Sequence, residues 1–462
     1  MINKSILREY DIRGIYGKTL TDHDAFLVGW SFSKYLQTLL NRERIMVNVC
    51  RDGRHSSISL YLSLIKGLVE GGAAVQSIGI GPTPMLYFSN FIDGEVDAGI
   101  MITGSHNPPE YNGFKFIADR SPFFGEKIQK LHEISAEYKA DDRHINVAVQ
   151  DVSYIEEYVN KLLSVCSGIR EFKIAWDPGN GAAGEVVEKL CQKLPGKHIL
   201  LNEKIDGNFP AHHPDPTVVE NLEQLKAAVI NNNCDLGVAF DGDGDRIGVI
   251  DNLGRIIWGD QLLTILAKEI LTRLPGAPII ADVKASRVFF EQIKKYGGVP
   301  VMWKTGHSNI KQHMKDIGAP LAGEMSGHIF IGDQYYGYDD ALYTAVRLIS
   351  LLSSSGENHF SNIVDALPKT YNTPEIRIEC KDEEKFAIVE DLKKYFRDNN
   401  IEFNDIDGIR YSSKTGWGLI RASNTQEVLV CRFEADSEAE VQEQISFISR
   451  LLKEHNLTLS VD

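Results

Sequence analysis

The sequence predicts an α/β protein: three consecutive α/β domains with mixed, mostly parallel sheets, then a smaller C-terminal α+β domain, around a central cleft. Three observations lead there. The chain has 462 residues, too many for one hydrophobic core, and ~100–200 residues per domain divides it into three or four units with room for a cleft between them. Short β-branched runs recur, each closing on a glycine-rich turn and then helical periodicity. The end of the chain abandons that rhythm for alternating strands and two amphipathic stretches.

The βα grammar is plain in IMVNVCRDGRHSSISLYLSLIKGLVEGG at 45–72, where an apolar run precedes a turn and a helix-period segment. FKIAWDPGNGAAGEVVEKLCQKL at 172–194, DLGVAFDGDGDR at 235–246 and APIIADVKASRVFFEQIKKYGG at 277–298 read the same way, so parallel strands with covering helices are expected. Boundaries fall near 150, in the polar and poorly periodic DDRHINVAVQDVS, near 255, and near 367, where LPKTYNTPEIRIEC carries two prolines. They give domains 1–150, 151–255, 256–366 and 367–462. In the last, EIRIEC alternates, 384–400 is amphipathic, and 426–454 joins a strand pattern to a second helix pattern.

Composition narrows the class of function. With 43% hydrophobic and 24% charged residues the chain resembles an average globular protein. A net charge of −15 opposes general binding to nucleic acid or acidic membranes, both polyanions, so an anionic substrate needs a local basic pocket. The start, MINKSILREYDIRG, lacks the apolar core of a secretory signal, and no apolar run approaches the ~20 residues that span a bilayer. A cytoplasmic protein with no membrane or nucleic-acid partner is expected. The six cysteines, Cys50, Cys166, Cys191, Cys234, Cys380 and Cys431, have neither CxxC nor zinc spacing, which points to reduced, mostly buried thiols.

Four loops carry chemistry. AGIMITGSHNPPEYNGFK at 98–115 runs from a buried-type strand into a turn rich in Gly, Asn and Pro. Ser105 there either bonds backbone amides or serves as nucleophile or phosphate carrier. The hydrolase elbow G-x-S-x-G fails, because Gly104 directly precedes the serine and Asn107 lies two beyond it. A phosphorylated Ser105 would need cations and amide donors, and Lys115 and His106 are near in sequence.

The second loop, DGDGDR at 241–246, lets Asp241, Asp243 and Asp245 converge on one cation, since alternate glycines allow a tight turn. An EF-hand would want Gly at its sixth position and Glu at its twelfth, where Arg246 and Asn252 stand. A compact carboxylate loop that leaves coordination places for a phosphate oxygen suits Mg²⁺. The third, GEMSGH at 323–328, either reads sugar hydroxyls or merely turns and caps. The fourth, RASNTQEV at 421–428, crowds a guanidinium, hydroxyls and an amide, as a phosphate nest or an ordinary turn would. Lys284 and His307 add basic groups to this set.

YDIRG at 10–14, TGSHNPP at 103–109, DGDGDR, GEMSGH and RASNT at 421–425, in this order, resemble the motifs of the α-D-phosphohexomutase family across nearly the whole chain. The GEMSGH form is similar to that of its bacterial phosphomannomutase/phosphoglucomutase branch. The resemblance implies a heart-shaped, four-domain enzyme with one loop from each domain in a central cleft. It implies Ser105 as phosphoserine, and Asp241, Asp243 and Asp245, with the group on Ser105, as Mg²⁺ ligands. Glu324 and Ser326 would read sugar hydroxyls, and Arg421, Ser423, Asn424 and Thr425 would hold the non-reacting phosphate. Tyr10, Arg13, Arg246, Lys284, His307 and His328 would line the cleft, and Lys115 would shuttle a proton. One position departs from the pattern: where the family places proline after its phosphate-loop threonine, this chain has Glu427.

The implied reaction moves phosphate between O6 and O1 of mannose or glucose through a hexose 1,6-bisphosphate, which also serves as primer. Lys115, His307 and His328 are the base candidates, sugar phosphates the only partners, and a monomer the expected state. A DxD-type phosphatase using Asp241 or Asp243 as nucleophile, and a non-catalytic sugar-phosphate binder, are the rival readings.

Overall fold

Four β-sheets succeed one another along the chain in the computed structural model, which describes residues 1–140, 147–166, 168–424 and 426–460. The polar stretch 141–146 within the first linker-like segment lies outside them. In the first sheet the strand order is Ile12–Ile15, Tyr111–Ala118, Ala98–Ile102, Ile45–Arg51, Ala73–Ile80, Val149–Asp151. Ile45–Arg51 pairs in parallel with both of its neighbours, whereas Tyr111–Ala118 runs antiparallel to Ala98–Ile102 and to Ile12–Ile15. The second sheet centres on Phe172–Asp177, parallel to Leu236–Phe240 and Gly196–Leu200. The third centres on Pro278–Asp282, parallel to Val299–Trp303 and Leu321–Gly323. Each thus has a parallel centre and antiparallel strands toward one edge, the other edge strand (Val149–Asp151, Gly196–Leu200 or Val299–Trp303) being parallel.

The apolar runs have a direct cause: every residue of Ala98–Ile102 and of Leu236–Phe240 is buried, as strands covered on both faces must be. One local expectation is corrected. DGDGDR does not lead into a helix, because Leu236–Phe240 turns back through it into the antiparallel strand Ile247–Asp251. The six-residue loop is too short for a parallel crossover, and IGVID beyond it is itself a β-branched strand sequence.

The fourth sheet is antiparallel, ordered Tyr371–Asn372, Val428–Ala435, Gly416–Ala422, Ile409–Ser412, Phe403–Asn404. Helices Asp382–Asp398 and Glu438–Lys453 share its core through Leu392, Phe396, Ile448 and Leu452. All six cysteines are free thiols. No described helix is long and apolar enough to cross a membrane.

The units are joined in two ways. One continuous apolar core runs from Met85 and Phe88 through Tyr158 and Trp176 to Leu263, Phe289 and Leu342, binding the first three together. The fourth instead meets the third through a small patch of Val283, Trp417 and Leu419. Around it, Arg410 donates to the carbonyls of Val283 and Ala285 and stacks on Trp417, and Arg432 donates to the carbonyl of Lys284.

Inside the large core, Asp340 caps the helix Ala341–Ser354 by accepting the Tyr343 amide at 2.8 Å. It also accepts the hydroxyls of Tyr158 at 2.9 Å and Tyr335 at 2.7 Å. Burial pushes its carboxyl up to about 6, despite these donors. A folded-state pKa above the ordinary 3.8 means that folding takes up a proton, so this group's contribution is complete below pH ~4 and is lost as pH rises through ~6. Chemical denaturation of Asp340→Asn beside the parent should show the variant gaining relative stability, on the order of 2–3 kcal/mol, across that interval. An unchanged difference between pH 4 and 7 would count against a protonated Asp340.

Candidate active site

The buried strand Ala98–Ile102 delivers Ser105 to the end of the first sheet. The serine is 2% exposed and sits in the left-handed region at φ 50°, a conformation that a non-glycine residue keeps only when its surroundings enforce it. Arg54 does the enforcing. Its buried guanidinium donates to the carbonyls of Ser105 at 2.7 Å, Asn107 at 2.6 Å, Pro108 at 2.5 Å and Tyr111 at 3.1 Å, while Nε bonds Asp52 at 3.1 Å. Arg13 steadies the same turn through Asn107 Oδ1 at 2.6 Å. The Ser105 hydroxyl donates to Asp241 Oδ2 at 2.9 Å and lies 3.2 Å from His106 Nδ1. Burial, then Arg246 and Arg13, hold that imidazole well below its ordinary pKa, so it is neutral beside the hydroxyl.

The aspartate loop meets this turn closely. A methyl group on Gly242 would collide with the Ser105 carbonyl, so glycine is required there for the two loops to touch. Asp241, Asp243 and Asp245 are fully buried, and one oxygen from each lies within 4.8 Å of the others. Lys115 Nζ bonds Asp243 Oδ2 at 2.7 Å and Asp245 Oδ2 at 2.5 Å, and the Thr83 hydroxyl also bonds Asp243. Burial raises Asp243, but Lys115 and Thr83 outweigh it and hold the carboxyl low. Burial, then Asp243 and Asp245, push Asp241 well above the usual carboxylate range. Against its own desolvation, Lys115 is held well above its ordinary value by Asp243 and Asp245, so it is a firm ammonium.

The donor set fits a hard divalent cation. Asp243 Oδ1 and Asp245 Oδ1 are buried and accept no hydrogen bond, and unpaired anionic oxygens in low dielectric call for a positive charge. Asp245, His328 and Asp339 have similar spacing. There Arg246 Nε donates to His328 Nε2 at 3.0 Å, which leaves the hydrogen of a neutral ring on Nδ1, 3.2 Å from Asp339 Oδ2. No lone pair of that nitrogen is then available to a metal.

Asp339 serves both imidazoles. His307 Nδ1 is 3.4 Å from its Oδ2, Lys311 bonds its Oδ1 at 2.8 Å, and the two rings stack at 5.4 Å. Burial opposes the charge of Asp339, yet Lys311 and the imidazoles hold its carboxyl well below the usual range. Burial and Lys311 lower His307. The GEMSGH turn is docked on the strand after the aspartate loop, since the Ile247 amide donates to the Gly327 carbonyl at 3.0 Å. Glu324 accepts the Gly306 amide at 2.6 Å, and Ser326 is half-buried on the same turn.

A second polar cluster gathers loops from the first, third and fourth units. The Tyr10 hydroxyl donates to the Thr305 carbonyl at 2.9 Å and accepts from Asn424 at 3.0 Å. Burial, opposed by Asn424 and Arg421, raises the Tyr10 phenol above its usual value. Arg421 bonds Asp407 at 3.0 Å and Lys284 bonds Glu375 at 2.6 Å. Ser423 is buried beside Asn424, and Thr425 lies outside the described residues. The sequence-predicted residues that are described therefore form two adjoining groups, which meet where the Tyr10 ring stands edge-on to His307 at 5.9 Å.

Four family models match the chain end to end: phosphoglucomutase/phosphomannomutase alpha/beta/alpha domains I, II and III at residues 4–143, 152–254 and 258–371, and the C-terminal domain at 375–451. The chain belongs to the phosphoglucomutase/phosphomannomutase family. It is 43% identical over 459 residues to a phosphomannomutase/phosphoglucomutase of Pseudomonas aeruginosa, covering 99% of this chain and 97% of that one. It is 42% identical over 446 residues to a phosphoglucomutase of Neisseria meningitidis, covering 96% and 95%. A solved phosphoglucomutase/phosphomannomutase family protein from Burkholderia thailandensis superposes with TM-score 0.89 at 38% identity, covering 98% of both chains. An N-acetylphosphoglucosamine mutase of Aspergillus fumigatus, solved with GlcNAc-6P and magnesium, shares the fold at TM-score 0.62 and 13% identity, covering 98% and 97%.

In this phosphoglucomutase/phosphomannomutase family member, sequence reasoning passed over Arg54, Thr83, Asp339 and Asp407. Arg54 had a faint signal, a charged RDGR leaving an apolar strand; Asp339 and Asp340 before an apolar helix look like caps, which Asp340 is. Glu427 is exposed, and its carbonyl accepts the Cys380 amide at 2.9 Å, so the loop is tied to a neighbouring strand end by its backbone.

Arg54→Met would strand four carbonyls and Asp52, and should lower stability by roughly 3–5 kcal/mol in thermal melts. Arg54→Lys keeps the charge without the planar fork; it should melt between the two and lose more activity than its stability accounts for. Parent-like turnover in the lysine variant would show that the fork is not what sets the serine.

Proposed function

We propose that this phosphohexomutase, an isomerase interconverting hexose 1- and 6-phosphates, carries the migrating phosphoryl group on Ser105, with mannose, glucose or both as the sugar. The observation that carries this reading is the 2.9 Å hydrogen bond from the Ser105 hydroxyl to Asp241. It joins the serine turn of the first unit to the buried aspartate loop of the second, where a carrier and a cation would have to meet.

Phosphoryl transfer passes through a loose transition state, so the protein's work is alignment and stabilisation of spread negative charge. Asp241, Asp243 and Asp245 would hold Mg²⁺, with a phosphate oxygen on Ser105 as a further ligand. When bound, the ion neutralises charge on the transferring group. Arg13 and the Lys115 ammonium are placed to do the same from the chain itself. In the first half-reaction the bond from phosphorus to Ser105 Oγ breaks and one to the free sugar hydroxyl forms. The hydroxyl proton passes to a base. Of the candidates Lys115, His307 and His328, the first is held as an ammonium and the third has its Nε2 occupied by Arg246, which leaves His307, beside Asp339, suited to take it.

The resulting 1,6-bisphosphate turns around and returns its other phosphate to Ser105 while the proton goes back. Glu324 and Ser326 would grip hydroxyls presented in both poses. Lys284, Arg421, Ser423, Asn424 and Thr425, beside Tyr10, would hold the phosphate that does not react. A fixed phosphate site serves both orientations because the two phosphates exchange places. The bisphosphate would also prime unphosphorylated enzyme. This reading has sugar phosphates as its only partners and a cytoplasmic monomer as its setting.

Ser105→Ala should retain the parent's melting temperature and lose at least ~10⁴-fold in turnover with both mannose 1-phosphate and glucose 1-phosphate. Near-normal turnover would end the carrier role, and steady release of inorganic phosphate by the parent would favour a phosphatase.

Chelation should stop turnover and Mg²⁺ restore it. Asp243→Asn should weaken Mg²⁺ binding by calorimetry by ~10-fold or more; an unaltered Mg²⁺ isotherm would place the ion elsewhere.

A further inference from the structure

A cavity of about 630 Å³ lies between the first and third units, away from Ser105. Its wall is aromatic: Tyr87 and Phe91 come from the helix Thr83–Ile92, and Tyr336 and Tyr338 from the loop before the helix Ala341–Ser354. The rings are already packed face or edge to one another, with Phe91 5.0 Å from Tyr336 and 5.5 Å from Tyr338. A rigid π-surface of this kind takes a flat ring at little cost in side-chain order.

The charges around it are unusual for a chain of net charge −15. Arg120 and Lys315 line the cavity. Arg120 Nε donates to the Asn90 carbonyl at 3.1 Å and Lys315 to the Ser121 hydroxyl at 2.8 Å. Lys127 donates to the carbonyl of Pro122, another lining residue, at 3.1 Å, and Lys161 stands 5.3 Å over the Tyr336 ring. Among the described residues none of these four cations has a carboxylate within ion-pair distance. The cavity's own acid, Asp333, is taken by Arg273 and Arg347. An uncompensated group of cations beside an aromatic wall attracts an anion that carries a ring. The volume falls in the ~300–1,000 Å³ range of small-molecule sites.

The geometry points to a second ligand site here, for a nucleoside diphosphate: the base against Phe91, Tyr336 and Tyr338, the phosphates toward Arg120, Lys127 and Lys315. The site is coupled by position to the catalytic groups. The helix His307–Ile317 begins at His307 and turns Lys311, Met314 and Lys315 toward the cavity, and Lys311 bonds both the Tyr87 ring face and Asp339. A ligand bridging Arg120 and Lys315 would span the first and third units, which contribute Ser105 and His307.

Calorimetric titration of the full chain in Mg²⁺ buffer with ADP, GDP, UDP and CDP tests the assignment. At least one should bind saturably, one molecule per chain, and remain bound when hexose 1-phosphate saturates the active site. The matching nucleoside and inorganic pyrophosphate should each bind at least about tenfold more weakly. The double variant Arg120→Glu, Lys315→Glu changes only exposed side chains. It should lose about tenfold or more in nucleotide affinity while kcat and KM for hexose phosphate stay at parent values. Absence of saturable binding by all four nucleotides, binding displaced by hexose 1-phosphate, or affinity untouched by the double variant would each overturn the site.

Discussion

Three carboxylates buried within one short loop are the constraint around which the active region is built. Alone they would repel strongly in a medium that screens little. The fold answers with groups drawn from outside their own unit. Lys115, on a strand of the first sheet, reaches Asp243 and Asp245; Thr83, at the start of a first-unit helix, reaches Asp243; and Ser105 reaches Asp241. The charge problem of the second unit is therefore partly relieved by the first, and two aspartate oxygens remain unpaired. The same contacts that quiet the aspartates also bring the serine to them.

Around that joint, backbone contacts add to the side-chain ones. Arg54 fastens the serine turn through carbonyls, Gly242 allows the two loops to touch, and the Gly327 carbonyl pins the GEMSGH turn to the strand that follows the aspartates. The loops all lie beyond the carboxyl ends of central strands, where open α/β sheets form their crevices.

Much of this was legible in the chain. The serine turn and aspartate loop announce themselves because glycine, proline and dense like charge have few reasons to cluster after an apolar strand. What was not legible is tertiary in origin. Arg54 looks like any turn arginine until its carbonyl partners, some fifty residues away, are folded over it. Asp339 stands beside a residue that does cap a helix, and nothing local distinguishes the two. The hairpin through DGDGDR could have been read from the β-branched run in IGVID, had the loop's length been weighed against the helix that the neighbouring units suggest.

The seat of the fourth unit has a thermodynamic consequence. Little hydrocarbon is buried there, and the rest of the joint is polar: guanidinium against carbonyl, the Lys284–Glu375 and Arg287–Asp436 ion pairs, and backbone amides on Glu434 and Asp407. Water can replace such bonds one for one, whereas it cannot replace a lost apolar core. Tilting this lobe away therefore disturbs little of what holds the remaining three together. The fourth unit is thus the softest part of the molecule, because parting is cheapest there.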